Sequence, residues 1–212
     1  MTNAALIIDL DGTLYDSDKI DEENKLAAIE AISDHLKITS VKATNLFKTS
    51  HSVSQRSTAS ILRDFDVPDA LVKHYQLKII NPEKVINPDP ELVMVLGRLK
   101  AKFKLVLLTN TRREIALRIL KALTLCESDF DLILAGGDFP EPKPNIDILK
   151  SALNVVDCSA NLSYTVGDRW LVDHAPGQVL DMKAIEVNGR DELIQRFKSL
   201  LEATDSRKIK PS

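Results

Sequence analysis

The run Asp9-Leu10-Asp11-Gly12-Thr13-Leu14 holds the residue types best suited to chemistry. It follows directly on an apolar segment, Ala4 to Ile8, that reads as a strand. In extended backbone, residues i and i+2 project to the same side, so Asp9 and Asp11 would leave the strand's carboxyl end together while Leu10 faces away. Two carboxylates that close repel unless a cation or a shared proton relieves them, which points to metal binding or acid/base work. A surface turn closed by Gly12 is the bland alternative, and the position at a strand end counts against it.

Three other segments fit the same kind of site. Leu107-Leu108-Thr109-Asn110-Thr111 ends a second apolar run in hydroxyl and amide groups just where a helical pattern begins. Side chains and free backbone amides there could hold an anion. Glu141-Pro142-Lys143-Pro144-Asn145 sets one lysine between two prolines, which limits the freedom of the loop. Val166-Gly167-Asp168, with Asp173 shortly after, adds two more carboxylates at the end of a further run. Hard oxygen ligands of this kind suit Mg²⁺, which takes one or two protein carboxylates and keeps water and phosphate oxygens.

The elements that must position these groups can be read from periodicity. Short apolar runs recur at Ala4–Asp9, Lys104–Thr109, Leu132–Ala135, Tyr164–Gly167 and Lys183–Val187, each followed by a break and a helical pattern. Runs apolar almost throughout are what strands covered on both faces require. The spacing predicts helices opened by Asp89 with Pro90, by Thr111 before Arg112 to Leu123, and by Asp191 before Glu192 to Glu202. Strand alternating with helix predicts an α/β fold, a Rossmann-like open and mainly parallel sheet with helices on both faces.

Residues 16–87 break the alternation and predict a small all-α helical bundle, with patterns near 21–37, 40–50, 52–66 and 68–80. In the first, the spacing of Leu26, Ile29, Ile32 and Leu36 puts them on one face. The insertion leaves 1–15 and 88–212 as the core, and it would sit above the carboxyl end of the sheet, where such folds place ligands.

Composition narrows the partners. The 212 residues carry a formal net charge of −3, which argues against nucleic acid or an anionic membrane as the default partner and favours a small substrate. No apolar stretch approaches the length of about 20 residues needed to span a bilayer, and the first apolar run lacks a basic leader. Cys126 and Cys158 form no metal-type cluster and are expected as buried, reduced thiols of a cytoplasmic protein. The seven glycines are few for this length, and none falls in the helical insertion.

In order and position the four segments resemble the motifs of the haloacid dehalogenase-like hydrolase superfamily, in the branch whose cap follows the first motif. DLDGTL, LLTNT, Lys143 within EPKPN, and GDRWLVD correspond to motifs one to four. The resemblance implies a Mg²⁺-dependent phosphatase acting on a small phosphorylated metabolite, as a monomer or homodimer. Asp9 would be the nucleophile that forms an aspartyl-phosphate, and Asp11 the general acid/base. Thr109, Asn110 and Lys143 would hold the phosphate. Asp9, the backbone carbonyl of Asp11, and Asp168 would bind the metal, while Asp173 would either bind it or orient Lys143.

The second aspartate favours phosphoryl chemistry over dehalogenation, because a departing halide needs no proton. A phosphomutase, a phosphonatase or a catalytically idle regulator of the same superfamily is the alternative. Arg56 and Arg63 on the third helix of the cap, with His51 and Gln55, are candidate substrate contacts. Motif four departs from the usual pattern in Arg169, Trp170 and His174, which are expected either at the pocket rim or in packing. Tyr15, completing DLDGTLY, is shared with pyrimidine nucleotidase-like members.

Overall fold

A computed structural model describes residues 4–54 and 58–208. The chain forms two compact units, one built from residues 1–16 and 86–212, the other from 17–85.

The smaller unit is all helical: α1 (Asp18–Leu36), α2 (Ser40–Ser54), α3 (Thr58–Asp64), α4 (Asp69–Ile79) and the single turn α5 (Pro82–Val85). Its core gathers Ala28, Ala31 and Ile32 of α1, Ala43 and Phe47 of α2, Ile61 and Leu62 of α3, and Val72 of α4. The buried face of α1 is centred on its alanines. Ile32 is buried, but Leu26 is 54% and Leu36 38% exposed, and Ala27, Ala28 and Ala31 take the inward positions. Small side chains there let neighbouring helices approach closely, which a leucine stripe would prevent. Two hydrogen bonds within the unit, Gln76 Nε2 to Asn24 Oδ1 and Asn81 N to Glu23 Oε2, tie its late residues back to α1.

The larger unit is built on five parallel strands, β1 (Ala5–Ile8), β2 (Lys104–Arg112), β3 (Leu132–Gly136), β4 (Tyr164–Gly167) and β5 (Lys183–Glu186), ordered β3-β2-β1-β4-β5. Its helices are α6 (Pro90–Lys100), α7 (Arg113–Ala122), α8 (Ile146–Val155), the single turn α9 (Ala175–Gln178) and α10 (Arg190–Lys208). Ala5 and Ile7 of β1 and Val106 and Leu108 of β2 pack with Ile148, Leu149, Ala152 and Leu153 of α8. The alternate residues Leu6, Ile8, Leu105 and Leu107 are fully buried, so the second face of the sheet is covered as well.

Two helix starts differ from the sequence reading. β2 stays extended through Arg112, and α7 begins at Arg113 rather than beside Thr111, whose hydroxyl has a partner across the sheet. α10 begins at Arg190, directly after Gly189 at φ +92. The start of α6 is as expected: Pro90 is its first residue, and the Asp89 side chain accepts a hydrogen bond from Leu92 N. Cys126 is exposed and Cys158 partly so; both are free, and neither is the buried thiol expected. Among the described residues no helix is long and apolar enough to cross a membrane.

The strand order matters for function. The chain leaves β1, builds β2 and β3 on one side, and then returns to place β4 on the other. That reversal opens a crevice at the carboxyl ends of β1 and β4. Ile8 is level with Leu107 of β2 and Val166 of β4, and Asp9 N donates to Val166 O at 2.9 Å. The residues that follow these strands therefore emerge side by side.

Candidate active site

Asp9 is the first residue beyond β1 and is 3% exposed. Its Oδ1 accepts a hydrogen bond from Lys143 Nζ at 2.6 Å, and the same ammonium donates to Asp173 Oδ1 at 2.7 Å. The other Asp173 oxygen accepts from Arg169 N at 3.0 Å. Asp9 Oδ2 and Asp168 Oδ1 are buried with no hydrogen-bond partner, as is the Thr13 hydroxyl. Arg169 Nε stands 3.8 Å from that Asp168 oxygen, beyond hydrogen-bond reach.

One carboxylate oxygen from each of Asp9, Asp168 and Asp173 lies within 4.8 Å of the others. Three carboxylates gather around one ammonium, and burial is the main influence on the acidity of Asp9 and Asp168. Burial pushes Asp9 up to about 7 against the pull of Lys143, with Asp173 and Asp11 adding to the rise. Burial also raises Asp168, against the pull of Arg169. For Lys143 burial works against the ammonium, yet the facing Asp9 and Asp173 outweigh it and hold the group above the ordinary lysine value. Buried, unpartnered carboxylate oxygens beside one another are a costly arrangement in a protein alone. Their number, hardness and spacing fit a small divalent cation.

Close approach of the acidic loops depends on two glycines. A Cβ on Gly12, which has φ +74, would lie 2.6 Å from Asp168 Oδ2. A Cβ on Gly167 would lie 2.6 Å from Asp173 Cβ. Asp173 is carried by a single π-helical turn, Trp170–His174. That turn is anchored by His174, which is fully buried between Thr165 Oγ1 at 2.8 Å and Gly167 O at 3.1 Å. A carbonyl only accepts, so Nε2 donates to Gly167 O, and the Thr165 hydroxyl, able to donate or accept, satisfies Nδ1. His174 is thus a packing anchor, while Trp170 is 40% exposed.

The extended end of β2 sorts its side chains by alternation. Thr109 and Thr111 both reach Asp11: their hydroxyls donate to Asp11 Oδ2 at 3.2 and 2.7 Å. Tyr15 OH donates to Asp11 Oδ1 at 2.5 Å. Asn110, between the threonines, reaches the Lys143 loop instead. Its Oδ1 accepts from Lys143 N at 2.8 Å, and its Nδ2 donates to Lys143 O at 3.1 Å.

Sequence reasoning missed the contacts of Tyr15 and Thr111 with Asp11. The period-two pattern Thr109, Asn110, Thr111 carried the signal for the threonine. Arg113 is engaged by Asp138 and by Ile133 O, which fastens the start of α7 to the β3 side of the sheet. Arg63 is an exposed residue of α3. Arg56, with His51 and Gln55, lies outside the described side chains.

Fold and site together define an α/β protein with a buried carboxylate–lysine centre at the switch point of a parallel sheet. The chain belongs to the haloacid dehalogenase-like hydrolase family, which residues 6–187 match, and it is a hydrolase of the phosphatase type. It is 30% identical over 167 residues to a phosphoglycolate phosphatase of Aquifex aeolicus (strain VF5), covering 77% of this chain and 75% of that one. Among solved structures it resembles a HAD phosphatase from Thermococcus onnurineus, with TM-score 0.65, 17% identity, and 93% and 97% of the two chains covered. It also resembles a predicted phosphoglycolate phosphatase from Haemophilus somnus 129pt, with TM-score 0.61, 20% identity, and 96% and 99% covered. At these identities the structural likenesses speak to the fold.

Proposed function

We propose that the protein is a Mg²⁺-dependent phosphatase that hydrolyses a small phosphate monoester through an aspartyl-phosphate on Asp9. The observation that carries this reading is the division of the Asp9 carboxylate. Its Oδ1 is held by Lys143, while Oδ2 is buried with no hydrogen-bond partner among the described residues, in a cluster that also holds the Asp168 carboxylate. An oxygen kept dry and unpartnered is available to attack, and a nucleophile fixed through its other oxygen is already oriented.

Asp9, Asp168 and the backbone carbonyl of Asp11 are the residues that would hold Mg²⁺. Both Asp173 oxygens have hydrogen bonds, one of them with Lys143, so this carboxylate serves chiefly to orient the lysine. Bound Mg²⁺ supplies positive charge that offsets the repulsion between a phosphate dianion and the carboxylates. Lys143 and Thr109 hold the transferring phosphoryl group, while Asn110, expected beside them, instead fixes the loop that carries Lys143. Asp11 gives its proton to the ester oxygen as the P–O bond breaks and the Asp9–P bond forms. It then takes a proton from the water that displaces Asp9 from phosphorus, which returns both aspartates to their starting states.

By the family resemblance the helical unit 17–85 serves as the cap, with Arg63 and Arg56 as its candidate substrate residues. Phosphoglycolate, named by the Aquifex relative, is the first substrate to try, ahead of sugar phosphates and nucleotides. The test is phosphate release from p-nitrophenyl phosphate and from a panel of phosphorylated metabolites, with Mg²⁺ and with EDTA. Mg²⁺-dependent release that Asp9→Asn abolishes is the expected result, and unchanged turnover in purified Asp9→Asn protein overturns the reading.

A further inference from the structure

Among the described residues, the side-chain hydrogen bonds to the Asp11 carboxylate come from hydroxyl groups. Tyr15 OH donates to one carboxylate oxygen, and Thr109 and Thr111 donate to the other. The Thr109 hydroxyl is itself fixed by the Thr111 N–H, at 3.0 Å. These partners come from two separate parts of the chain. The first is the turn that follows β1, where Gly12 adopts φ +74, Leu14 N donates to Leu10 O at 2.9 Å, and Asp11 and Tyr15 form an isolated bridge. The second is the extended end of β2. The Tyr15 ring is 4% exposed, and Leu10 and Leu14 beside it are fully buried, so its hydroxyl is delivered to Asp11 from a fixed position in the core.

We propose that Tyr15 and Thr111 are positioning residues that hold the Asp11 carboxyl at the angle needed to protonate the leaving group. This rests on the reading of Asp11 as the proton carrier and adds two residues to that reaction. Hydroxyls suit the task. Neutral hydroxyls donate to the oxygens of the carboxylate and can still donate to the carboxylic acid, so they hold the group without fixing its charge and leave its proton for the ester oxygen. A lysine in their place would favour the ionised form through its charge. In the step itself the Asp11 proton passes to the ester oxygen, the P–O bond to the leaving group breaks, and the Asp9–P bond forms.

A residue that acts through the general acid has a distinctive signature. Departure of p-nitrophenolate needs little protonation, whereas departure of an alkoxide depends on it. The quantity to compare is kcat/KM, which covers every step up to release of the leaving group and excludes hydrolysis of the aspartyl-phosphate. Tyr15→Phe and Thr111→Val each remove one oxygen and keep the shape. Each is expected to reduce kcat/KM for 2-phosphoglycolate, or for the alkyl phosphate that wild type hydrolyses fastest, about tenfold more than for p-nitrophenyl phosphate. Asp11→Asn should show the same bias more strongly, and Thr111→Ser should recover the alkyl ester.

Equal losses on both esters, or no loss on either, overturn the proposal while leaving the phosphatase reading intact. A wild-type protein that hydrolyses no phosphate ester removes that reading and the proposal with it. The melting temperature of each variant is measured alongside. Should Tyr15→Phe not fold, the comparison of Thr111→Val with Thr111→Ser decides the matter.

Discussion

Asn110 and Lys143 are paired as residues of two strands would be, but through a side chain: the Asn110 carboxamide accepts from Lys143 N at 2.8 Å and donates to Lys143 O at 3.1 Å. The carboxamide thus occupies both peptide groups of the one loop residue whose side chain must meet Asp9 and Asp173. Asn110→Ala frees that loop, and small misplacements of a charged group in a site are costly in rate. We expect kcat/KM for p-nitrophenyl phosphate to fall about tenfold or more. Because the effect passes through Lys143, Asn110→Ala should add little to the loss already caused by Lys143→Ala. Independent, multiplying losses in the double variant would show that Asn110 acts on the substrate by another route.

Gly12→Ala and Gly167→Ala test how closely the acidic loops must approach. At Gly12 a methyl group meets Asp168 Oδ2 at 2.6 Å, and the residue sits at φ +74, a region that costs a non-glycine residue about 1–2 kcal/mol. At Gly167 a methyl group meets the Asp173 side chain. Both substitutions displace a carboxylate of the cluster. The Mg²⁺ concentration for half-maximal activity should therefore rise in both variants, and the melting temperature should fall. Mg²⁺ titrations that superimpose on wild type would show that the carboxylates tolerate the shift.

How far the site could be read from the sequence depended on how local the information was. Asp9, Thr109 and Asp168 each follow a short apolar run, and parallel strands of similar length bring their ends level, so their convergence needs only strand recognition and the α/β rule. The Asp89 cap is equally local, a side chain and the amide three residues on. Thr111 was misread because the same residue type opens a helix or ends a strand. The decision rested on Asp11, 100 residues earlier in the chain. For Leu26 and Leu36, helical spacing fixes which residues share a face but not which face is buried. Here the alanines of α1 win by allowing closer packing.

Metal binding should depend on pH in a direction set by Asp9. Its carboxyl is raised by burial to about 7, so without metal it keeps a proton at mildly acidic pH. A raised carboxyl contributes stability below its unfolded value and loses it as pH climbs through the folded one. Mg²⁺ must displace that proton at low pH, whereas at higher pH it meets ionised, mutually repelling carboxylates. The rise in melting temperature on adding Mg²⁺ is therefore expected to be larger at pH 8 than at pH 5.5. EDTA should abolish activity at both. Thermal scans showing a Mg²⁺ shift independent of pH, or larger at pH 5.5, would contradict this.

Acid sensitivity of the larger unit should be concentrated at the junction of α6 and α10. Asp89 caps α6 through Leu92 N and is gripped by the Arg190 guanidinium, with Nη2 to Oδ1 at 2.6 Å and Nε to Oδ2 at 2.5 Å. Arg190 also reaches Glu91, to which Lys198 is bonded, so the start of α6 is fastened to α10. The Arg190 hydrogen bonds outweigh the opposing effect of burial and hold the Asp89 carboxyl below its ordinary value. The sign follows: a depressed carboxyl contributes stability above its unfolded value, near 4, and that stability is lost as pH falls through the folded one. Partial exposure moderates the pair, so Arg190→Ala should cost about 1–2 kcal/mol at pH 7. Part of that difference should disappear in high salt. As pH falls below about 4 the gap between wild type and Arg190→Ala should narrow, and it should close only below the depressed folded value, where Asp89 is protonated in both. A gap between the two proteins that stayed constant from pH 7 to pH 3 would mean that Arg190 acts through packing of its aliphatic stem rather than through charge.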